Sequence, residues 1–576
     1  MRASNQNQSI STQTGIRQRS LRKHCRLGRT TELVFVMATG AMLVLSGGAQ
    51  AQAVDLDWDT NNTDGTTVTG GAGAWKMGGV TNLWNDGNAN VSFTSGDNAE
   101  FGGLSAYTVT VESLGLVVGN ISIQANIGID GGPLTVEGAV TVGPAQTVSL
   151  QSDVTDNLVT NVSGTLKVFG NVAGELTAVN PSGLLQIMSP GSVIGTTTVT
   201  AGTVAVDGGA LSTVTVDGGI LDVNSGTVGA VTVNGGTLDI DGGTVASLDL
   251  ATGTSHSISG TAEVTGATTI DSATLTQTGA GSKLSTNGTT ASTVTVNSGG
   301  VYQATDGIAG EVTNNGGTIT ADGTNFVSLT NTSGIVTIKA DKKLEAGSLR
   351  NDGTLILEAN ATFEGTGNTF NNAGVTTVAD GGSIIDAGAI NNLATGTLTF
   401  AGTATVNADS DGAGGEIVTN AGTFIVNDTG GSTVAVGGDA FTNSSMGTIA
   451  VNGNSTLSGI TTLTNTSTSL DAIKVAAGGT LTAATLNSDA GTITVAGTLD
   501  AATTIKGGIL DVDSGAVGAV TVDGGTLDMD GGTVASLINT SGTNTTVDGG
   551  SVSGTTTVTA GTVTVAGGAV GAVDVE

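Results

Sequence analysis

Val214-Thr215-Val216-Asp217-Gly218-Gly219 returns one short repeat later as Val231-Thr232-Val233-Asn234-Gly235-Gly236. Apolar residues at alternate positions mark a short strand with one buried face. The Asp/Asn-Gly-Gly that follows is turn chemistry. The same pattern extends over longer blocks. Ile220 to Leu248 reappears as Ile509 to Leu537 with 25 identities in 29 positions, and Gly195 to Ala210 matches Gly554 to Ala569 with 14 in 16. The two blocks stand in opposite order at the two places. A catalytic domain does not tolerate such shuffling, whereas a stack of interchangeable coils does.

Composition agrees. The 576 residues include 94 Gly, with aromatics at 3% and charged residues at 11%. The chain is too rich in β-branched residues for disorder. It is also too poor in large side chains for one deep core. A thin core of small side chains, rebuilt turn after turn, is the property of a solenoid.

A second repeat fills the middle. An apolar–any–Asn triplet followed by Gly and alternating apolar residues places Asn at 331, 351, 372, 392, 420, 443 and 465. The spacings are 20, 21, 20, 28, 23 and 22. About 20 residues is one coil of a parallel β-helix with three short strands and three turns. The apolar residue of each triplet is expected to face the core. Asn331, Asn351, Asn372, Asn392, Asn420, Asn443 and Asn465 are expected at corners in the left-handed backbone region, with their amides stacked from coil to coil as a ladder. Roughly 520 mature residues then give about 26 coils and a rod on the order of 120 Å at about 4.8 Å per coil.

The N-terminus has a different logic. Arg17, Arg19, Arg22, Lys23, Arg26 and Arg29 precede an apolar run from Leu33 to Leu45, and Ala49-Gln50-Ala51-Gln52-Ala53 follows. This order reads as a secretory signal peptide over 1–53, cleaved after Ala51 or Ala53, with a membrane anchor as the alternative. The mature chain keeps 9 Lys/Arg against 47 Asp/Glu, a net charge of −38 that repels nucleic acid and anionic lipid. The single cysteine, Cys25, lies in the signal, so the mature chain has no disulfide and no thiol chemistry. Residues 54–110 hold all three tryptophans, Trp58, Trp75 and Trp84. They are expected to cap the first coil, the alternative being a sugar-stacking site. Solenoid repeats then divide into 111–305 (Val-Asp-Gly-Gly), 306–505 (Asn ladder) and 506–576.

These motifs carry a family resemblance. The long basic leader resembles those of large bacterial proteins secreted through an outer-membrane barrel. Trp84-Asn85-Asp86-Gly87 through Ser95-Gly96-Asp97-Asn98-Ala99-Glu100-Phe101-Gly102-Gly103 resembles the N-terminal motif that accompanies autotransporter-associated β-strand repeats. The Val-Asp-Gly-Gly pattern, over about 190–250 and 505–576, is similar to repeats of AIDA-type autotransporter adhesins. The Asn-containing middle resembles hemagglutinin-like passengers. The resemblance implies a right-handed β-helix and a type V secretion passenger. It also implies export through an outer-membrane barrel, and a cell-surface or extracellular location. Glycosylation of exposed hydroxyls is a further family property. Autotransporters end in a barrel of about 250–300 residues with aromatic girdles. This chain ends at Glu576 in mid-repeat without such a barrel, so the expectation is open among three cases: the sequence is a piece of a longer protein, a separate protein secretes it, or the gene is truncated.

Catalysis finds little support. The one mature histidine, His256, sits in Thr254-Ser255-His256-Ser257 and reads as a solvated loop residue. No zinc motif and no phosphate loop occur. Asp207, Asp217, Asp241, Asp523 and Asp530 stand in Asp-Gly-Gly turns, where a turn role outweighs a carboxylate pair. Calcium has two weak candidates, Asp57-Trp58-Asp59-Thr60-Asn61 and Asp409-Ser410-Asp411-Gly412 with Glu416, both more simply solvated turns. Lys339, Lys342, Lys343 and Arg350 are the only basic cluster of the mature chain. They suit an acidic neighbour or plain solvation. The reading is therefore a non-enzymatic surface solenoid without metal, cofactor or nucleic-acid site. Its partners are a second copy, or a host or surface glycan or protein. A structural surface layer and a polysaccharide-active enzyme are the alternatives.

Overall fold

The computed structural model describes residues 53–576 apart from 61–69, 78–83, 180–181, 252–253, 285–292, 367–368, 386–387, 409–416, 428–429, 438–439 and 542–543. The signal-peptide reading of 1–53 lies almost wholly outside the described residues. So does the Asp409–Glu416 calcium candidate.

The chain forms an all-β parallel solenoid of about 23 turns. One turn shows why. In Thr203–Val216 the segment 203–206 pairs with 220–223, Ala210-Leu211 with Thr227-Val228, and 214–216 with 231–233. A single run of chain thus contributes a strand to each of three parallel sheets. We call the sheet of Val214–Val216 the first, that of Thr203–Val206 the second and that of Ala210-Leu211 the third. Val204, Val206, Leu211, Val214 and Val216 point inward and are at most 3% exposed. The alternate Thr and Asp residues point out, so the period-2 pattern is the burial pattern.

The corners explain the paired glycines. After Val216 the amides of Asp217 and Gly218 both donate to the Val199 carbonyl, at 3.0 and 3.1 Å. Gly219 has φ +71°, and a Cβ there would lie 2.4 Å from the Gly202 carbonyl oxygen of the turn below. Only glycine allows both that conformation and that approach.

Turn length varies between blocks. The step from one turn to the next is 17 from Asp217 to Asn234, 20 from Asn331 to Asn351 and 28 from Asn392 to Asn420. Register is kept through these changes, since Ile390 pairs with Val418 and Asn392 with Asn420 across the longest of these steps. The turns are fewer than the repeat spacing implies, because part of the N-terminal segment belongs to the cap and several turns are longer than the shortest Asn spacing. Pairing at the cap departs from the rest of the stack: Asp55–Trp58 pairs antiparallel with Trp84-Asn85, which pairs antiparallel with Asn90-Val91. One apolar cluster runs without a break from Leu56 to Val552. One aromatic stretch stacks Phe400, Phe424 and Phe441, with ring centroids 5.0 and 5.2 Å apart.

Each turn contacts only its neighbours, so damage should stay local. Phe424→Ala is expected to cost about 3–5 kcal/mol. Hydrogen exchange should show the loss around the turns of Phe400 to Phe441, with protection near Val216 unchanged. A uniform loss along the chain would contradict the quasi-one-dimensional account.

Candidate functional site

The Asn residues form one buried column. Asn331, Asn351, Asn372, Asn392, Asn420, Asn443 and Asn465 end strands of the first sheet and are at most 2% exposed. Each Nδ2 donates to the Oδ1 of the next, at 2.7, 2.9, 2.8, 2.7, 2.8 and 2.9 Å in chain order. The second amide proton goes to a carbonyl of the following turn, for example Thr397 O from Asn372 at 3.1 Å and Thr423 O from Asn392 at 2.9 Å. The corner placement in the left-handed region is corrected. None of these seven has positive φ, and their side chains point into the core from extended backbone. The physical reason is that a buried amide in a strand satisfies both neighbouring turns, which a corner amide facing water cannot do.

The column is longer than the spacing rule reaches. Asn314 opens it, donating to Asn331 at 3.0 Å, and Asn465 closes it on Ser488 Oγ at 3.1 Å. Val312-Thr313-Asn314 shows the same triplet, but its step of 17 to Asn331 is shorter than any spacing within the sequence-read series. Below Asn314 the same position is Val216, Val233, Leu250, Ile270 and Val296. The ladder is thus a run of amides that follows five aliphatic positions of the same column. Amides aligned one way polarise each other and fix register.

The tryptophans form the core of the N-terminal segment. Trp58, Trp75 and Trp84 are at most 2% exposed. Trp58–Trp84 centroids lie 4.9 Å apart, Trp75–Phe93 5.4 Å and Trp75–Phe101 5.3 Å. Rings this deeply buried leave no face for a sugar, and their position is compatible with a cap. Beside them lies an open groove of about 660 Å³ lined by Lys76, Thr110, Glu112 and Gly131. An internal void between Ile121 and Leu166 is about 10 Å³, too small for any ligand beyond a single water.

His256 is not a solvated loop residue. It lies in the strand Ser255–Ile258 and is 2% exposed. Its Nδ1 accepts from the Leu238 amide at 3.2 Å, and Thr254 Oγ1 lies 3.1 Å from Nε2. Burial lowers its pKa from 6.5 to about 4, so the ring is neutral at physiological pH. The alternation pattern places residue 256 inward, and that signal could have found it. The basic cluster is also engaged: Lys339 with Glu358 at 3.2 Å, Lys342 with Asp322 at 2.6 Å, Lys343 with Glu345 and Glu364, and Arg350 with Asp352 at 2.8 Å.

Aspartates stack on the second sheet in both copies of the duplicated block. Asp222 is the register partner of Asp239, and Asp511 of Asp528. Burial first, then neighbouring carboxylates, raises the pKa of Asp222, Asp511 and Asp528. Asp207, Asp217 and Asp241 accept from Gln186, Asn224, Asn234 and Ser259 side chains of neighbouring turns, and Asp523 follows Val522 at the corner where Lys506 follows Ile505 one turn below. Among the described residues no group of three or more His, Cys, Asp or Glu could hold a metal ion.

Asn372→Ala is expected to cost about 2 kcal/mol, because Asn351 loses its acceptor and Asn392 its donor inside the core. Urea unfolding followed by hydrogen exchange of turns 351–392 checks this. The titrations give a second expectation. A raised carboxyl pKa stabilises the fold when protonated, and that contribution is lost as pH rises. Asp222→Asn with Asp511→Asn and Asp528→Asn should therefore raise the melting temperature most at neutral pH and least in the carboxylate range. His256→Leu should gain on the parent as pH falls from 6.5 toward about 4, where the parent must charge a buried ring. Differential scanning calorimetry across pH measures both.

Comparison with known proteins finds no family model, no curated protein and no solved structure that matches this chain.

Proposed function

We propose that the chain is an exported surface solenoid, the passenger region of an autotransporter-like adhesin. It presents the sides of a rod for adhesion or self-association. The observation that carries this reading is where the chemistry lies. The interior is filled from Leu56 to Val552, while the outward positions repeat from turn to turn as ladders of Thr, Asn and Asp. Such a surface offers many weak, equivalent contacts, and its affinity grows by avidity along the rod. The basic leader and apolar run supply the export route. The excess of acidic residues excludes nucleic acid from the partners.

The test compares cells carrying the gene with a deletion strain. Settling of suspensions and retention on glycan- or protein-coated surfaces are measured, with the chain located by surface proteolysis. Carriers are expected to clump or adhere more, and to lose the gain when the exposed chain is shaved off. Equal behaviour of the two strains would overturn the proposal.

A further inference from the structure

We infer that the outward face of the second sheet, from Ser255 to Ala450, is a docking surface for a second copy of this chain. This deepens the surface-display reading and rests on it. Ten successive strands cross this face, from Ser255–Ile258 to Thr448–Val451. Each contributes two central outward side chains in continuous register, with no bulge at any step from Thr274 to Thr448. None of these twenty side chains is charged. Eleven are Thr and five are Val or Ile.

The contrast with the rest of the surface is local. On the same sheet Asp239 lies just before the face and Lys474 just after it. In the same turns the third sheet carries Glu263, Lys283, Lys343, Glu345 and Glu364. Along one edge of the face Lys342 pairs with Asp322 and Lys339 with Glu358, while Asp341 and Asp380 on that edge accept from Asn360 Nδ2 and the Thr403 amide. An uncharged centre with a polar and charged rim is the anatomy of a protein interface. Ile335 and Val375 stand 44% and 46% exposed at its middle.

Three arguments select a second copy as the occupant. The first is charge. A mature chain of net −38 repels its own kind over most of its surface, and the repulsion is least along the twenty central positions of the second sheet that carry no charge. The second is lattice. A stack with a repeat of about 4.8 Å adds its contacts coherently only against a partner of the same repeat, which another copy has by construction. Sixteen β-branched side chains of restricted χ1 lose little entropy on interdigitating, as in dry sheet-to-sheet contacts. The third is area. Ten strands at about 4.8 Å by four residues at about 3.3 Å make roughly 600 Å² per copy. The pair buries about 1,200 Å², the lower bound of specific interfaces. The face has no aromatic ring to stack on a sugar and no basic group for an anionic polymer.

The experiment is sedimentation of the purified full chain over a range of salt. Reversible association that strengthens with salt is expected, because screening relieves like-charge repulsion. Thr320→Lys with Thr377→Lys and Thr399→Lys should weaken association by at least about tenfold. Thr313→Lys with Thr330→Lys and Thr442→Lys, on the first sheet, should leave it within about twofold. Circular dichroism confirms that each variant is folded. An independent readout uses a Cys25→Ser background, in which Thr337→Cys should form an intermolecular disulfide on oxidation and Thr442→Cys should not. A chain that is monomeric at every salt, or equal loss in both lysine variants, overturns the proposal. So does a face variant that loses glycan-surface retention while the parent never dimerises, since that assigns the face to a glycan. Cells bearing the face variant should still adhere but no longer clump. A parent strain that neither adheres nor clumps sinks the display reading while leaving a solution dimer measurable.

Discussion

Parallel stacking at about 4.8 Å is the constraint on which the rest depends. Within the stack, a strand side chain is covered above and below by the side chains at the same place in the neighbouring turns. A position that is apolar, small or amide-bearing must therefore find a compatible neighbour each time. The column Val216, Val233, Leu250 shows the aliphatic solution, and Asn331, Asn351, Asn372 shows the amide solution of the same geometry. Gly219 and Gly236 show the corner solution, where a Cβ would lie 2.4 Å from a carbonyl oxygen of the turn beneath.

The same constraint divides inside from outside. Inward positions have little freedom, because each contributes to a core only a few side chains wide. Outward positions are free, yet they too are stacked, so any preference becomes a ladder. Where the preference is Asp, burial and then repulsion between carboxylates raise their pKa values, as at Asp222 and Asp511. Where it is Thr, Val or Ile, an uncharged band results. The outward chemistry of such a molecule is arranged in ladders. Its Asp-Gly-Gly aspartates accordingly serve turns, and His256 serves the core.

His256 and the Asn ladder mark where local reading met its limit. His256 sits at an inward position of a clear alternation, but its polarity argued for a loop. The core accepted it because the Leu238 amide and Thr254 supply partners from the neighbouring turn and the same strand. The Asn triplets announced a ladder, yet turn propensity placed them at corners. A lone Asn prefers a turn, whereas a stack of them satisfies its amides within the column. Asn314 escaped the spacing of the other triplets because its turn is one of the short ones, with a step of 17 to Asn331.

What the sequence by itself determined was the fold class, the thin repeated core, the approximate coil length and the existence of a buried-side pattern. All of these follow from periodicity along one chain. What only the tertiary structure decided is lateral: which ladder faces which sheet, that the lysines 339, 342 and 343 are consumed by Glu358, Asp322, Glu345 and Glu364, and that ten turns share an uncharged face. The physical reason is that stacking joins residues far apart in the chain, by steps from 17 at Asp217 to 30 at Ala404, and the exact step at each turn sets the neighbours. A strand's own pattern shows which side chains point out. The residues beside them across the sheet are fixed only when the turns close.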